Sequence, residues 1–488
     1  MPPERGALAR FLAGPAGLGA ALLVALALRL LGLASFGYGV DEGNTTAEAI
    51  RLVDVYGWKF WEIPTKALTP LSGSMPVSYY VAALGLEGFG RDFVGLRLPF
   101  LLLGLGSVAL TWWLARRLFR DGLIAAVAAL LLAANAAHVE YSQLARFYMP
   151  TLVLGLAWAL AFHALATRPA LGSALALAAI QLVGFGTHHL FPLLGPIALV
   201  HGVAVLRDPG PGALPDHRRR LILFALGALV LSCAPLVVNA MELRASGHSQ
   251  AAGGDHDATR NVVRAAGGML LRIEPAMLLL AVLGAVVAWR RDGRDGRYVV
   301  LLAFGLTAEL LLIGLLGQIR GRYVLWCLPY FAILAAVGSI RALDGTGRRS
   351  GLLVAGLGAL ALGLSTGEYL FVHADGRLAA AKVRVDAMRL AGDDALVVIL
   401  GAGPPPEARA FAGWDLGRLE TIHTEDLRNV AAALQPWLGR RLILVCHQQT
   451  EGFLRASSLF RDPRLRLAGT RPDPTRRQTL YYAYYEWR

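Results

Sequence analysis

Lysine is almost missing from this chain: Lys59, Lys66 and Lys382 are all it has, beside abundant arginine, alanine and glycine. The imbalance looks like high-GC coding bias and points to a bacterium. Cysteine is as scarce. Cys233, Cys327 and Cys446 lie far apart in apolar stretches, which excludes a disulfide framework and any metal-binding cysteine spacing. Charge is thin too. Charged residues make up 17% of the chain, where an ordinary globular domain carries about a quarter, and 56% of residues are hydrophobic. No convincing cleavage site follows the first apolar run, at 11–36, which is also longer than a signal-peptide core and reads as a retained helix. The formal net charge of +13 would suit nucleic acid. That partner is excluded by where the arginines sit, in short hinges between apolar runs, where orientation in a membrane accounts for them.

What the chain has is long apolar runs. About eleven can be drawn, at 11–36, 93–115, 123–138, 150–166, 170–187, 190–206, 221–240, 276–289, 298–317, 323–340 and 351–366, and about 20 helical residues cross the hydrocarbon. The expected architecture is a polytopic α-helical membrane protein. Every second hinge carries an arginine excess: Arg5 and Arg10; Arg116, Arg117 and Arg120; Arg168; Arg207 and Arg218 to Arg220; Arg290, Arg291, Arg294 and Arg297; Arg341, Arg348 and Arg349. The positive-inside rule makes these hinges cytoplasmic. The N-terminus is then cytoplasmic, and two long loops, at 37–92 and 241–275, are external.

After the last run the pattern changes. Residues 395–400, 441–446 and 480–487 read as strands, and 424–437 and 451–459 as helices, with Thr424 as a cap. Alternation of this kind argues for a soluble α/β domain over 377–488, outside the cytoplasm, following a membrane module over 1–366. Gly401-Ala402-Gly403 reads as an ordinary strand-to-helix turn, because the prolines after it spoil the helix start of a dinucleotide site.

Polar residues crowd the outer rim. Tyr38-Gly39-Val40-Asp41-Glu42-Gly43-Asn44 puts adjacent carboxylates where the first run leaves the membrane, and a charge at that depth needs a partner or a task. The alternative is a solvated pair capping a helix over 45–56. Arg97-Leu98-Pro99 opens the second run, the segment from His138 to Tyr148 joins the third and fourth, and Thr187-His188-His189 joins the fifth and sixth. Gln318-Ile319-Arg320-Gly321-Arg322-Tyr323 joins the ninth and tenth. Short outer loops should be poor in arginine, yet Arg97, Arg146, Arg320 and Arg322 are there. Arginine's planar fork matches phosphate, so the rim suggests a phosphate-linked substrate near the headgroups.

These residues, in this order, resemble the glycosyltransferase C superfamily, in the branch of dolichyl-phosphate-mannose protein mannosyltransferases and bacterial aminoarabinose transferases. The resemblance rests on the Asp41-Glu42 pair opening a long loop with Pro76 before Tyr79-Tyr80, then Arg97-Leu98-Pro99, Arg116-Arg117-Leu118-Phe119 and Tyr141-Ser142-Gln143-Leu144-Ala145-Arg146-Phe147-Tyr148. Similar bacterial sequences often have His-Pro-Pro where this chain has Ser74-Met75-Pro76, and Glu in place of Leu144.

The resemblance implies a glycosyltransferase C-type fold and a sugar moved from a polyprenyl-phosphate carrier to an extracytoplasmic lipid, glycan or protein. The membrane would be a bacterial cytoplasmic (inner) membrane. It implies an inverting displacement with Asp41 as general base and Glu42 orienting the acceptor or an ion. Arg146, Arg322, Arg320 and Arg97 would hold the donor phosphate. Tyr79, Tyr141, Gln143, Tyr148, His188 and His189 are candidates for contacting substrate. A divalent metal ion is a further expectation, with His188, His189 and Glu42 as candidate ligands, against hydrogen bonding by the histidines at the interface.

Other polar groups stay open. Glu140 could be a second acid, and Glu309 is an intramembrane acid that could equally be a buried pair. Trp58, Trp61, Tyr79 and Tyr80 read as headgroup anchors, with stacking against sugar as the alternative. Arg244, Arg260, Arg264 and Arg272 read as solvated charge, with a mobile cover over the site as the alternative for their loop. A secondary transporter would place its polar groups near the midplane in related halves, and these crowd the rim. A glycan polymerase or ligase would work at the same face. So would a binding module carried by inert helices.

Overall fold

The structure, a computed structural model, describes residues 7–31, 33, 40–59, 76–188, 190–207, 216–231, 258–316, 321–345, 360, 362–367, 386–392, 394–400, 419–422, 432, 434–437, 440–447, 454–455, 458–472 and 481–487. Up to residue 367 its regular structure is helical, as hydrocarbon demands, because a helix satisfies its own backbone N–H and C=O groups. The helices are α1 (Pro15–Leu30), α2 (Val40–Asp54), α3 (Pro76–Phe89), α4 (Phe93–Phe119), α5 (Gly122–Ala134), α6 (Ala136–Ser142) and α7 (Tyr148–Thr167). They continue as α8 (Leu171–Thr187), α9 (Leu194–Arg207), α10 (Asp216–Leu231), α11 (Ala258–Ile273), α12 (Pro275–Arg291), α13 (Gly293–Val300), α14 (Leu306–Leu316) and α15 (Leu328–Gly345).

Each expected apolar run is mainly helical where it is described, the last on a short helix at 362–367. Among the described residues α4, α7 and the stretch Gly293–Gly314 are long and apolar enough to cross a membrane singly. Two further pairs qualify only together, because α5–α6 bends by 65° and α11–α12 by 89°. The run at 123–138 is therefore not one rod. Asn135 interrupts it, turning its Oδ1 to the His138 N–H (2.9 Å) to cap α6. The carbonyls that the break frees are met by distant side chains: Arg29 Nη1 donates to Ala133 O (3.0 Å) and Ser365 Oγ to Ala134 O (2.8 Å). A cation suits a helix C-terminus. Arg29 is fully buried and also donates to His138 Nδ1, while His138 Nε2 reaches Ser107 Oγ (2.8 Å).

The segments expected as long external loops both contain helix. Pro76 at the first position starts α3, which buries Ser78, Tyr79, Ala82, Ala83 and Leu86. In α11, Ala265, Met269 and Ile273 fall on one buried face, a helical spacing masked in the sequence by Arg260, Arg264 and Arg272 on the same segment. Close packing elsewhere uses glycine: a Cβ on Gly284 of α12 would lie 1.8 Å from Leu334 O of α15, so the two backbones touch.

The bundle has two polar ends. At one, Arg116 Nη1 donates to Ala13 O (3.2 Å), Arg117 Nε to His163 Nδ1 (3.1 Å), and Arg341 pairs with Asp292 (3.0 Å). His163 Nε2 meets Asp295 Oδ1 at 3.0 Å. The arginine hinges after α4 and α12 and at the end of α15 thus share one end. The other end gathers residues 33, 42, 97 and 145.

Beyond the bundle is a five-stranded sheet in the order β2-β1-β3-β5-β4, from β1 (Leu396–Leu400), β2 (Leu419–Ile422), β3 (Leu442–His447), β4 (Leu465–Pro472) and β5 (Tyr481–Trp487). β1 runs parallel to β2 and β3, and β5 antiparallel to β3 and β4. Alternate residues bury both faces: Val398, Leu444 and Tyr485 on one, Val397, Val445 and Tyr484 on the other, the latter under a helix at 386–391. The three expected strands are present. β2, at four residues, and the arginine-bearing edge strand β4 carry too little apolar pattern to be read in advance. Of the expected helix at 424–437 the described part includes a 3-10 turn, Gln435–Trp437, and of that at 451–459 it includes Leu454, Arg455 and the start of a turn at Ser458–Arg461. The Gly401-Ala402-Gly403 turn lies outside the described residues.

Candidate active site

Glu42 is 1% exposed and Arg97 0%, and the two form a bidentate pair. Arg97 Nε donates to Glu42 Oε1 (2.8 Å) and Nη2 to Oε2 (2.6 Å), while Nη1 holds Leu33 O (3.0 Å). Oε1 also accepts from the backbone N–H of Ala145 (3.0 Å). One carboxylate therefore ties α2 to α4 and to the segment after α6. Its chain neighbour is Asp41, and Ala145's is Arg146. Arg146 Nη1 then donates to Thr45 Oγ1 at 3.2 Å, a second tie between the same two segments. The side chain of Asp41 lies outside the described set, while its backbone belongs to α2.

Arg146 and Arg322 converge on an aromatic floor. The Arg146 guanidinium sits 5.4 Å over the Phe147 ring and that of Arg322 5.8 Å over Tyr148, two rings 4.3 Å apart. Tyr141 meets Tyr148 edge-on at 4.6 Å. His188 packs against Phe147 (4.4 Å), Trp326 (4.9 Å) and Tyr323 (5.4 Å), and its Nδ1 accepts from Leu190 N (3.1 Å). Arg322 reaches this floor on a 3-10 turn, Gly321–Trp326, whose Gly321 lies against Gly268 of α11; a Cβ there would come within 2.6 Å of the Gly268 carbonyl carbon.

Of the expected site residues, Arg146, Arg322, Tyr141, Tyr148 and His188 come together. Arg97 is placed differently from the expected phosphate ligand, buried against Glu42 instead of facing the rim. The same pairing engages both oxygens of Glu42, expected to orient the acceptor or an ion. Gln143 is fully buried, and its Nε2 donates to Arg29 O (2.7 Å) and Leu31 O (3.1 Å), capping α1 instead of facing a substrate. Tyr79 is buried in α3. Arg320 and His189 lie outside the described residues, as do Trp61, Ser74 and Met75. No group of three His, Cys, Asp or Glu side chains that could hold a metal occurs among the described residues. With Glu42 given to Arg97 and His188 Nδ1 to Leu190, the described candidates do not fit a metal set.

Phe147, Trp326 and Arg272 belong to the neighbourhood and were not legible as such. Arg272, expected as solvated charge, lies within electrostatic reach of the Tyr141 hydroxyl, as does Arg322. Glu309 is in α14, and its Oε2 has no hydrogen-bond partner among the described residues. An apolar groove of about 450 Å³ lies between α8 and α10, lined by Phe185, Leu182, Ala178 and Leu171 on one side and Ala228 and Leu221 on the other.

Residues 70–237 match the family described as dolichyl-phosphate-mannose-protein mannosyltransferase. No curated protein matches the chain by sequence. Among solved structures, ArnT from Cupriavidus metallidurans in the apo state is similar at 14% identity and a TM-score of 0.54, over 96% of this chain and 97% of that one. The archaeal oligosaccharyltransferase AglB from Archaeoglobus fulgidus, in complex with an inhibitory peptide and a dolichol-phosphate, is similar at 13% identity and a TM-score of 0.55. That alignment covers 90% of this chain and 69% of AglB.

Proposed function

We propose that the chain is a membrane glycosyltransferase that takes its sugar from a lipid phosphate, as the family match over residues 70–237 supports, and that it transfers that sugar to an acceptor hydroxyl on the extracytoplasmic face by inverting single displacement. The acceptor oxygen forms a bond to the anomeric carbon as the bond from that carbon to the phosphate oxygen breaks. The electron pair leaves with the polyprenyl phosphate, and the acceptor's proton passes to Asp41. General-base help of this kind is worth roughly 10²–10⁴ in rate. Arg146 and Arg322 stabilise the charge growing on the leaving phosphate, with Arg320 a third cation on the same segment. The AglB structure holds a dolichol-phosphate, a lipid phosphate of the kind that would leave in this step.

The observation that carries the reading is the three-way bond of Glu42 to Arg97 and to Ala145 N. It joins the chain neighbours of Asp41 and Arg146, about 100 residues apart along the chain, which supports reading the two as members of one site. Glu42 and Arg97 are then supports of the site. The groove between α8 and α10 suits the donor's isoprenoid chain, since its lining is almost wholly apolar. Two guanidiniums over adjoining rings suit the phosphate.

Asp41→Asn tests this. The variant is expected to fold, to lose transfer by about 10²-fold or more, and to copurify with polyprenyl-phosphate sugar that mass spectrometry identifies. Full activity in Asp41→Asn would remove Asp41 from the mechanism, and a copurifying lipid without phosphate would remove the donor class.

A further inference from the structure

The two broken helix pairs meet at their breaks. Asn135, between α5 and α6, donates through Nδ2 to Glu274 Oε1 (2.7 Å) and to Arg272 O (3.0 Å). Glu274 stands between α11 and α12, 7% exposed. Ser365, from the helix at 362–367, lies 2.5 Å from the same Oε1 and also faces Ala134 O (2.8 Å). Glu274 holds this place at a φ of +71°, a backbone region that side-chain-bearing residues avoid. Nothing in the transfer chemistry above uses it.

What the carboxylate joins is informative. After Asn135, α6 presents Tyr141 and leads to Ala145 and Arg146. Before Glu274, α11 carries Arg272, near Tyr141, and Gly268, whose backbone lies against Gly321 beside Arg322. A single side chain therefore registers the segment that positions Arg146 against the one that positions Arg322. We propose that Glu274 is a positioning residue for the transfer reaction, a latch between two helix breaks that sets those arginines over their shared aromatic floor. The proposal rests on the glycosyl-transfer reading above.

Glu274→Gly separates positioning from folding. Both donors keep a second acceptor, Asn135 in Arg272 O and Ser365 in Ala134 O, and glycine is at ease at positive φ. Its Tm is expected to equal or exceed that of the wild type, while kcat falls by about 10–100-fold, because misplacement by an ångström is enough for that. Glu274→Gln keeps Oε1 as acceptor and should stay within about threefold of wild-type turnover. Amide hydrogen exchange reads the latch without an activity assay: protection across 136–142 and 321–326 should drop in Glu274→Gly and persist in Glu274→Gln. Wild-type turnover and unchanged protection in Glu274→Gly would overturn the latch. So would a common loss of Tm and turnover in both variants, which would make Glu274 a support of the fold alone. If the wild type itself transferred no sugar, the reading of the previous section would fall, and the exchange measurement would still decide the latch.

Discussion

Glu42 and Arg97 are charges removed from water, and what they gain in exchange is geometry. A bidentate carboxylate–guanidinium pair compensates burial only while both members are present; taking away one strands the other, at a cost of about 3–5 kcal/mol. Glu42→Ala should therefore lower the Tm in detergent sharply and abolish transfer. The double variant Glu42→Leu with Arg97→Met should recover most of the Tm, since an apolar pair of similar volume is often neutral or better. It should not recover transfer, because Ala145 N still lacks its acceptor and Arg146 its anchor. A double variant as unstable as Glu42→Ala would show that the pair does more than compensate itself. The sequence marked both residues as belonging to the site, from their charge at the rim. It could not distinguish a partner from a ligand. Glu42 and Arg97 lie 55 positions apart, and the bond that decides their role is a tertiary one. Gln143 was misjudged for the same reason, since an amide that caps a distant helix and one that binds sugar look alike along the chain.

Helices carried by apolar runs were legible because hydrocarbon enforces them. Their breaks were not. Asn135 interrupts an otherwise apolar run and Glu274 follows a charged one, and only the fold reveals that distant side chains receive the carbonyls of Ala133, Ala134 and Arg272. α11 was hidden by charge: its buried face holds Ala265, Met269 and Ile273, but Arg260, Arg264 and Arg272 on the same segment read as solvated charge. Its placement has a measurable consequence. Gly321 and Gly268 meet so closely that a methyl group at 321 would lie 2.6 Å from the opposing backbone. Gly321→Ala must push the turn away from α11 and carry Arg322 off Tyr148. Turnover should fall by about 10²-fold with little change in Tm, because the turn is at the bundle's end and the core below it is untouched. An active Gly321→Ala would mean that Arg322 is not placed by this contact.

At the scale of the whole molecule the question is which end faces which compartment. Arginine hinges alone suggested an answer, and the fold adds that several of them share one end, through the contacts of Arg116 with Ala13, Arg117 with His163 and Arg341 with Asp292. The Glu42–Arg97 pair and the aromatic floor are at the other. The positive-inside rule predicts that the arginine end faces the cytoplasm. Cysteines introduced at exposed positions turn this into a parity test. Glu87→Cys, at the end of α3, should react with a membrane-impermeant maleimide in intact cells. Arg297→Cys, in the hinge after α12, should react only in inverted vesicles. Arg466→Cys, on edge strand β4, decides the sheet. If it labels with Glu87→Cys, the helices after α12 cross an odd number of times from the cytoplasmic hinge, and the sheet shares a compartment with Asp41. If it labels with Arg297→Cys, the crossings are even and the sheet lies opposite the active site, where it could not touch acceptor or sugar. The expected extracytoplasmic position of the α/β domain predicts the first result, and with it a sheet in the compartment of the acceptor.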